Sequence, residues 1–365
     1  MGSVLDGFTV GITADRRSDE QAALFERRAA NVVLGPAIRT LPLGNDEGLR
    51  SVTEALIADP PDVLVANTGL GIRSWFGAAE SWDRGDALLE ALAHTRVYAR
   101  GPKAAGAVHA LGLEVTARAT SERLSECVEL VLADLKAGER VAVQRDGGPP
   151  PAAADGLRAA GAVVLEIPVY RWQTTGDPKP ALRLFDAVVG RRVHAVTFTA
   201  GPAITSWMEL AAASGVEDEL RRALSSGDIV VGCVGAVCAE AAQKAGIADG
   251  DLVVPRTARL GPLVRAVANR LVERSMCVGD LVITGTVVKV RGRRIELSDI
   301  EARILASLAT RPGTVVPKVE LLRTVWGDAD ADPHMVEVAV GRLRRRLGPE
   351  GKAIVALPRR GYLLA

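Results

Sequence analysis

Residues 61–76 read PDVLVANTGLGIRSWF, a short β-branched run followed by a glycine-rich turn and a helical stretch with a tryptophan. The same order of features recurs at residues 193–208 as VHAVTFTAGPAITSWM. Three more segments recur in the same order, at offsets of about 130 to 140 residues: FTVGITADRR (8–17) as RVAVQRDGG (140–148), VYARGPKAAGAVHALGLEV (97–115) as VVGCVGAVCAEAAQKAGI (230–247), and TARATSERLSECVELV (116–131) as VPRTARLGPLVRAVANRL (254–271). Unrelated segments would not keep a common order and offset, so most of the chain is a doubled sequence.

Each copy alternates short β-branched runs with Ala- and Leu-rich helical stretches, the pattern of a parallel sheet covered by helices. The predicted fold class is therefore α/β, with two doubly wound parallel-sheet domains. Ligands bind such sheets beyond the carboxyl ends of the strands, where glycine-rich turns let backbone amides approach an anion. The turns NTGLG, ARGPKA, QRDGG, FTAGP and CVGAV predict a ligand in the cleft between the domains.

The composition excludes several classes of protein. No apolar run approaches the roughly 18 residues of a membrane helix, and the N-terminus lacks the basic-then-apolar order of a signal peptide. We therefore expect a cytoplasmic protein without a membrane partner. Four cysteines among 365 residues do not make a disulfide framework, and no Cys or His spacing is typical of zinc, so no metal site is expected.

The repeat and its turns resemble the uroporphyrinogen-III synthase family over nearly all of residues 4–270. The resemblance implies a chain that leaves domain one early and returns to it late, through proline-bearing crossovers at IRTLPL (38–43) and LEIPVY (165–170). Members of the family close a linear tetrapyrrole, hydroxymethylbilane, into a macrocycle while inverting one pyrrole ring. They use no cofactor, so none is expected here. The domains implied are 1–40 with 170–272 for domain one and 41–169 for domain two.

Tyr170 matches the family tyrosine that helps the hydroxyl group leave, since a phenol can donate a proton to the departing oxygen. The alternative is a tyrosine that only packs against one domain. Four hydroxyl groups that the family often carries are missing here, because the chain has Gly69 after Thr68, Ala200 after Thr199, and Ala104 and Cys238 in place of threonines. Each hydroxyl group missing from a substrate site weakens the free energy of substrate binding by about 0.5 to 1.5 kcal/mol. These losses argue against the original catalysis without abolishing a ligand pocket.

Basic side chains follow the predicted strand ends and the crossover, where they could hold an acidic small molecule or tetrapyrrole through charged hydrogen bonds. For any single one of them, a surface arginine without a ligand is the alternative, but the set as a whole favours an anion site. With the two threonines of the turns, the predicted ligand-binding residues are Arg16, Arg17, Thr68, Arg100, Lys103, Arg145, Arg171 and Thr199.

The C-terminal part is basic and differs in pattern. Residues 285–365 carry 15 Lys and Arg against 9 Asp and Glu, a net charge of +6, whereas residues 1–284 carry 30 against 35, a net of −5. A hairpin pattern, TVVKVRGRRIEL, precedes a capping box at Ser298 and Glu301 and three helical stretches. The third, from about residue 334 to 347, places Val336, Val340, Leu343 and Leu347 on one stripe. Its other face is basic, which suits DNA phosphates and base edges, although a solvated basic helix is the alternative.

The order of these elements, with the motifs VWG, LRRRLG and RRGYLL, resembles the winged-helix output domains of two-component response regulators. The resemblance implies that the third helix enters the major groove of promoter DNA and that the hairpin wing follows the minor groove. The wing arginine of the family aligns with Pro358, and the next two residues are basic. A linker is expected at 273–284, before a winged-helix domain at 285–365. The predicted DNA-binding residues are His334, Arg342, Arg344, Arg345, Arg346, Arg359, Arg360 and Trp326.

No receiver domain is expected, because the nearest equivalent of its phosphoacceptor strand, DVLVAN, ends in Asn67 instead of aspartate. The pairing of the two regions resembles the actinobacterial regulators of nitrate and nitrite assimilation. One interpretation is a DNA-binding transcriptional regulator whose synthase-like region is degenerate or senses a ligand, with other regulators as further partners. The other is a bifunctional uroporphyrinogen-III synthase that also binds DNA. The missing hydroxyl groups favour the first.

Overall fold

A computed structural model describes residues 4–147, 152–247 and 250–365. The chain divides into two compact units, one formed by the residues up to Ala37 together with Thr175–Ala365, and the other by Ile38–Thr174. No helix among the described residues combines the length and the apolar character that crossing a membrane requires.

The strands, in chain order, are β1 (Thr9–Ile12), β2 (Asn31–Leu34), β3 (Ile38–Pro42), β4 (Val63–Ala66), β5 (Arg96–Ala99), β6 (Ala117–Arg118), β7 (Arg140–Gln144), β8 (Val163–Ile167), β9 (Tyr170–Thr174), β10 (Ala195–Phe198), β11 (Val230–Cys233), β12 (Asp251–Val253), β13 (Met276–Val278), β14 (Leu281–Thr284), β15 (Val287–Val290), β16 (Arg293–Glu296), β17 (Ile354–Leu357) and β18 (Gly361–Leu364).

The helices, in chain order, are α1 (Ser18–Glu26), α2 (Glu47–Ala58), α3 (Gly69–Ser81), α4 (Gly85–Ala91), α5 (Pro102–His109), α6 (Leu124–Asp134), α7 (Ala152–Ala159), α8 (Lys179–Val189), α9 (Gly201–Ala213), α10 (Glu217–Ser225), α11 (Ala236–Lys244), α12 (Leu260–Glu273), α13 (Asp299–Ala309), α14 (Lys318–Leu321) and α15 (His334–Leu347). A π-helical turn (Leu322–Trp326) continues α14, and a 3-10 turn (Gly348–Ala353) follows α15.

Domain one contains a five-stranded parallel sheet in the order β12-β11-β10-β1-β2. Strands β10 and β11 are buried along their whole length, as expected for a parallel sheet covered on both faces. Beside the sheet, the Trp207 ring meets Phe185 and Phe198 edge-on, with ring centroids 4.7 Å and 5.6 Å apart. Such pairs stabilise the core beyond the apolar area that they bury.

Domain two contains a second five-stranded parallel sheet, in the order β6-β5-β4-β7-β8. When β7 and β8 are matched with β1 and β2, and β4 to β6 with β10 to β12, the strand order of the two sheets is identical. This confirms the doubled sequence and the two parallel α/β sheets predicted from it. The chain forms two strands of domain one, then the whole of domain two, and then the remaining three strands of domain one.

The equivalent helices α3 and α9 begin differently. Their N-cap residues are Thr68 and Ala200, so Ala200 is the structural counterpart of Thr68. The Thr68 hydroxyl accepts a hydrogen bond from the Gly71 amide at 3.0 Å, whereas α9 has no side-chain cap. Thr199, which the sequence grouped with Thr68, therefore lies one position earlier in the turn and does not cap its helix.

Strands β3 and β9 form an antiparallel pair in which Ile38 lies opposite Thr174 and Pro42 lies opposite Tyr170. Strand β3 lies where the first crossover, IRTLPL, was predicted. Strand β9 begins at Tyr170, the last residue of the second predicted crossover, LEIPVY. It begins this late because the first residues of LEIPVY complete β8, which ends at Ile167. Pro168 lies between β8 and β9, and its lack of a backbone N–H favours a break in strand pairing there.

The winged-helix domain begins with a four-stranded antiparallel sheet in the order β13-β14-β15-β16. The linker predicted at 273–284 is therefore wrong, because this stretch contains β13 and β14. Leu281 and Ile283 alternate with exposed residues and are buried in the winged-helix core, which holds β14 in the sheet. Helices α13 to α15 follow, and β17 and β18 form a terminal hairpin. The predicted capping box of Ser298 and Glu301 is present at the start of α13.

Candidate nucleic-acid interface and ligand-binding residues

Helix α15 has one buried face and one exposed face. Its spacing predicted a buried stripe of Val336, Val340, Leu343 and Leu347, and all four side chains are buried. They pack into the core that α13, α14 and the terminal hairpin share. The opposite face is open to solvent and exposes Met335, Val338, Arg342 and Arg345.

Arg342 and Arg345 are the basic residues of this exposed face. Arg342 forms no hydrogen bond or ion pair with the described part of the chain. Arg345 donates only to the carbonyl oxygen of Gly341, at 3.3 Å and within the same helix. An ideal Cβ at Gly341 would meet nothing within 4 Å, so the space beside both arginines is open. Their guanidinium groups can therefore reach phosphate oxygens or the O6 and N7 atoms of guanine.

Arg344 lies on the same helix but binds within the domain. Its Nε and Nη2 donate to the carbonyl oxygen of Ile354 at 2.9 Å and 2.5 Å. Its guanidinium carbon lies 5.9 Å from the centroid of the Tyr362 ring. These contacts hold α15 against the base of the hairpin. The same elements border an open groove of about 710 Å³ whose basic lining residues are Arg344, Arg345 and Lys352.

Arg346 binds the start of α13. Its Nε lies 3.0 Å from Oε2 of Glu301, and its Nη1 donates to the carbonyl oxygen of Glu296 at 3.2 Å. Glu301 is 3% exposed and also accepts a hydrogen bond from the Ser298 amide at 2.9 Å. A buried carboxylate requires a cationic or hydrogen-bonding partner, and Arg346 supplies a cation to the carboxylate of the capping box. The sequence predicted Arg344 and Arg346 as DNA-binding residues, but their guanidinium groups have internal partners.

His334, the first residue of α15, is exposed and lies beside a carboxylate. Its Nδ1 is 3.3 Å from Oε2 of Glu337, which also forms an ion pair with Lys318 of α14. Lys318, and to a smaller extent His334, lower the pKa of Glu337. The N-terminal turn of the helix therefore carries an ionised carboxylate, and the arginines of α15 lie further along the helix.

The hairpin wing exposes the remaining predicted cations at its tip. Arg359 adopts a left-handed backbone conformation with φ of 60°, which allows the tight turn between β17 and β18. Arg359 and Arg360 are exposed, and neither side chain bonds to any residue that the structure describes. Trp326, in contrast, is half-buried and packs against the winged-helix core at the end of the π-helical turn.

At the carboxyl edge of the domain-two sheet, Thr68, Gln144 and Tyr170 form one hydrogen-bonded group. The Thr68 hydroxyl lies 3.4 Å from the Tyr170 hydroxyl. Gln144 is buried at the end of β7, accepts from the amides of Asn67 and Thr68 at 3.0 Å and 3.1 Å, and donates to the Thr68 hydroxyl at 3.1 Å. The phenol of Tyr170, predicted from the sequence as a site residue, therefore lies beside the N-terminus of α3.

Asn67 and Gln144 are residues of this site that the sequence reasoning missed. Asn67 is only 2% exposed, and neither its side-chain nitrogen nor its oxygen has a hydrogen-bond partner among the described residues. A buried polar group without a partner costs about 1 to 3 kcal/mol, so the Asn67 amide is poised to bind a ligand or water. The sequence does contain a feature that could have identified them: each is a polar residue at or just beyond the end of an otherwise apolar strand, Asn67 in DVLVAN and Gln144 in RVAVQ.

The predicted cations are distributed over both compact units. Arg16 and Arg17 follow β1 in the first unit, and Arg17 is bound by Glu20 through two contacts of 2.6 Å. This pair, chiefly through its hydrogen bonds, raises the pKa of Arg17. Arg16 is exposed and bonds to no described residue. Thr199 follows β10, which is adjacent to β1, so these three residues share one edge of the sheet.

In the second unit, Arg100 and Arg145 follow β5 and β7, the strands on either side of β4. Because all three strands are parallel, Arg100, Thr68 and Arg145 lie at the same edge of the sheet. The Nε of Arg145 lies 3.7 Å from a carboxylate oxygen of Glu166, and this negative charge weakens the attraction of Arg145 for an anionic ligand. Lys103 is exposed in the first turn of α5, and Arg171 is exposed on β9.

Residues 19–265 match the family described as uroporphyrinogen-III synthase HemD. The chain belongs to the uroporphyrinogen-III synthase family. Residues 292–364 match the family described as transcriptional regulatory protein, C terminal. The second match agrees with the sheet, helices and hairpin found there, and the C-terminal domain is a winged-helix DNA-binding domain of the OmpR/PhoB type.

Individual relatives cover the same two regions. An uncharacterized protein of Bacillus subtilis, YjjA, is 26% identical over 277 residues, which are 75% of this chain and all of YjjA. A mutant uroporphyrinogen III synthase of Thermus thermophilus has a similar structure, with a TM-score of 0.57 and 26% identity over 73% of this chain and 99% of that one. The transcriptional regulatory protein PrrA of Mycobacterium leprae is 38% identical over 78 residues, which are 20% of this chain and 34% of PrrA.

Four positions were predicted to lack a hydroxyl group, and the structure describes the surroundings of each. A Cβ at Gly69 would lie 2.2 Å from the carbonyl oxygen of Lys103, so a serine does not fit there without movement of the backbone. Ala104 is 2% exposed, and Cys238 is 4% exposed with its thiol directed at the carbonyl oxygen of Phe198. Ala200 leaves α9 without a side-chain cap. Of the two equivalent N-cap residues, Thr68 and Ala200, Thr68 carries a hydroxyl group that caps its helix and Ala200 carries none.

Proposed function

We propose that this synthase-family chain is a transcriptional regulator that binds double-stranded DNA through α15 and the terminal hairpin. The observation that supports this most strongly is the division of the α15 arginines. Arg344 and Arg346 have partners on other elements, whereas Arg342 and Arg345, on the face opposite the buried stripe, have no described partner outside their own helix. A helix with two such guanidinium groups on its outer face is suited to the major groove.

In this mechanism, the two elements have different tasks. Arg342 and Arg345 contact base edges, where a bidentate arginine distinguishes guanine from other bases. Arg359 and Arg360 at the wing contact the sugar-phosphate backbone and increase affinity without selecting sequence. Val338 and Met335, which are exposed beside the arginines, add apolar surface that suits the thymine methyl group.

The experiment that tests DNA binding is selection of duplexes from a random library by the full chain, followed by affinity measurements on the selected and the random duplex. Replacing Arg342 and Arg345 together with alanine should reduce affinity for the selected duplex by roughly tenfold or more, at about 1 to 3 kcal/mol for each base contact. Arg265→Ala on α12 is the matched control, since Arg265 is exposed but far from α15 in sequence and on another helix. Failure to select any sequence, or equal losses in both variants, would contradict base recognition by α15.

We further propose that the synthase-like region binds an acidic ligand at the carboxyl edge of the domain-two sheet. The supporting observations are the unpartnered Asn67 amide, the N-terminus of α3 capped by Thr68, and the cations Arg100 and Arg145 at the same edge. A polycarboxylate such as a porphyrin with acidic side chains should raise the melting temperature of the full chain. Asn67→Leu should abolish the shift, and the matched change Asn269→Leu, at an exposed position of α12, should keep it.

The second candidate function is uroporphyrinogen-III synthesis in addition to DNA binding. It is favoured by the pairing of the Thr68 and Tyr170 hydroxyls at 3.4 Å, because a phenol beside a hydroxyl and a helix N-terminus can donate a proton to a leaving oxygen. The test is an assay of the purified chain with freshly generated hydroxymethylbilane, scored by the ratio of type III to type I product. Type III product that depends on Tyr170 would establish catalysis, and an isomer ratio equal to that without protein would exclude it.

The physiological setting follows from the resemblance alone. Control of nitrate and nitrite assimilation in the cytoplasm, together with other regulators, is our proposal for the pathway. Comparison of transcripts between a strain that carries the gene and one that lacks it, each grown with nitrate or ammonium, tests it directly. Unchanged nitrate-assimilation transcripts in both media would contradict this setting and leave DNA binding itself untouched.

A further inference from the structure

A short turn between α15 and the hairpin wing packs directly on the helix. This 3-10 turn, Gly348–Ala353, connects α15 to β17. A Cβ at Gly351 would lie 2.3 Å from the carbonyl oxygen of Arg344 and 2.8 Å from its Cα. The backbones of the turn and the helix can approach this closely only because residue 351 has no side chain. The next residue, Lys352, is thereby held beside the C-terminal end of α15.

The groove that these elements border is basic. It has a volume of about 710 Å³ and lies between the end of α15 and the start of β17. Every charged side chain that the structure describes along it is a cation, namely Arg344, Arg345 or Lys352, and the rest of its lining is glycine and apolar residues. The groove therefore suits an extended anion that also has apolar surface.

Lys352 is the cation of this groove with the fewest contacts. Arg344 and Arg345 both donate to carbonyl oxygens of the domain. Lys352 is exposed and forms no hydrogen bond or ion pair with any residue that the structure describes. Glu350, the carboxylate of the same turn, is 17% exposed and lies 3.6 Å from Nη1 of Arg293 on β16. Its charge is therefore directed at Arg293, and the ammonium group of Lys352 stays available to a ligand.

The place of the groove in the domain indicates which part of DNA lies over it. In B-DNA, one sugar-phosphate backbone separates the major groove from the adjacent minor groove. If α15 lies in the major groove and the terminal hairpin lies beside the adjacent minor groove, this backbone passes between the helix and the hairpin. The basic groove occupies the same space, because α15 forms one of its sides and β17 forms the other.

We propose that Lys352 binds a phosphate group of this intervening strand and that the groove holds its sugar-phosphate backbone. The inference rests on the proposed function of α15 and the hairpin. An ammonium group on a flexible stem binds phosphate as a point charge, without the fixed geometry that a guanidinium group requires. Val355 and Ala356, which are exposed on β17, supply apolar surface for the deoxyribose. Such a contact raises affinity and fixes the register of α15 on the duplex without distinguishing bases.

The test compares variants of the full chain on a selected and on a random duplex at several salt concentrations. Lys352→Ala should weaken binding to both duplexes by the same factor, roughly three- to tenfold, because it removes one charged hydrogen bond. It should also reduce the slope of log K against log salt by about 0.9, the value for one phosphate contact. Lys352→Arg should restore both quantities. Lys244→Ala is the matched control, because Lys244 is exposed at the end of α11 and bonds to no described residue.

A second measurement locates the contact on the DNA. A methylphosphonate linkage removes the charge of a single phosphate group, and it can be placed at each position of the selected duplex in turn. At a position between the α15 and hairpin contacts, it should weaken binding of the wild type but not weaken Lys352→Ala further, since the variant has already lost that ion pair. The melting temperature of Lys352→Ala should equal that of the wild type, because Lys352 has no partner to lose among the described residues.

Two results would overturn this inference alone while the wild-type chain still binds DNA. One is an unchanged affinity and salt slope in Lys352→Ala, and the other is additive losses from Lys352→Ala and methylphosphonate at every position. Failure of the wild-type chain to bind any duplex would overturn the proposed function, and this inference with it.

Discussion

Asp6 and Arg294 are separated by 288 positions in the sequence, yet the Asp6 carboxylate accepts hydrogen bonds from two nitrogens of the Arg294 guanidinium. Nη2 lies 2.9 Å from Oδ1, and Nε lies 3.1 Å from Oδ2. Lys289 adds a third contact at 3.2 Å from Oδ2. The Asp6 side chain is 13% exposed, so these bonds are only partly screened by water. They attach the winged-helix sheet to the segment that precedes β1.

Asp6→Asn should lower the free energy of unfolding by about 1 to 3 kcal/mol, because it removes the carboxylate that Lys289 and Arg294 share. The control is Asp280→Asn, whose partner Arg291 is 75% exposed, and which should change stability by less than about 1 kcal/mol. Chemical denaturation at pH 7 measures both. Similar small changes in the two variants would show that the Asp6 contact is not stabilising.

The same carboxylate predicts a pH dependence. The hydrogen bond with Arg294, ahead of that with Lys289, lowers the pKa of Asp6 below its ordinary value of 3.8. A group whose pKa is lower in the folded state stabilises the fold fully above its ordinary pKa and loses this effect as the pH falls toward its folded pKa. The stability difference between wild type and Asp6→Asn should therefore be constant above about pH 5 and shrink below the ordinary pKa of 3.8. A difference that is unchanged down to pH 2 would contradict this origin.

Arg344→Ala and Arg342→Ala should have opposite effects on folding and DNA binding. Removing Arg344 breaks two hydrogen bonds to the Ile354 carbonyl and the contact with Tyr362, so stability should fall by about 1 to 3 kcal/mol. Arg342 has no contact to lose within the described chain, so its variant should be within about 0.5 kcal/mol of wild type. Its affinity for a selected duplex should nevertheless fall. Thermal melting and binding to the same duplex measure the two effects, and a stable Arg344→Ala would contradict the structural assignment.

At the wing, Arg359→Gly tests phosphate contact without harming the fold. Glycine adopts the left-handed conformation of residue 359 more readily than arginine does, so stability should be kept or slightly raised. Combined with Arg360→Ala, the change should weaken binding to all duplexes and reduce the slope of log K against log salt by up to about 2, at 0.9 for each phosphate contact. Loss of sequence preference with an unchanged salt slope would show that the wing reads bases instead.

Gly71 and Gly77 lie on the same helix, α3, and provide a matched pair of glycine substitutions. A Cβ at Gly71 would lie 1.4 Å from Nε2 of Gln144 and 2.7 Å from a methyl group of Val169, whereas a Cβ at Gly77 would meet nothing within 4 Å. Gly71→Ala should therefore destabilise the chain by about 1 to 3 kcal/mol, and Gly77→Ala should stabilise it by up to about 1 kcal/mol. Because Gly71→Ala displaces Gln144 from Thr68, it should also weaken any ligand bound beside Tyr170. Denaturation curves of both variants decide the point.

The sequence alone determined the doubled α/β region, the order of the winged-helix elements, the capping box of α13 and the buried stripe of α15. Each of these depends on periodicity or on residues a few positions apart, which local backbone geometry converts directly into structure. The partners of the basic residues were not accessible in this way. Arg344 and Arg346 bind Ile354, Glu301 and Glu296, which the fold brings to them from other elements.

Tertiary structure alone also decided three further features. The stretch predicted as a linker became β13 and β14 because Leu281 and Ile283 find a core built from distant helices. Asn67 became a candidate ligand-binding residue because packing removed water from its amide without supplying a partner. The bond between Asp6 and Arg294 joins two residues that are 288 positions apart. Contacts between residues so far apart cannot be predicted from a single sequence. The spacing of apolar residues indicates which face of a helix or strand is buried, but not which side chains from other elements pack against it.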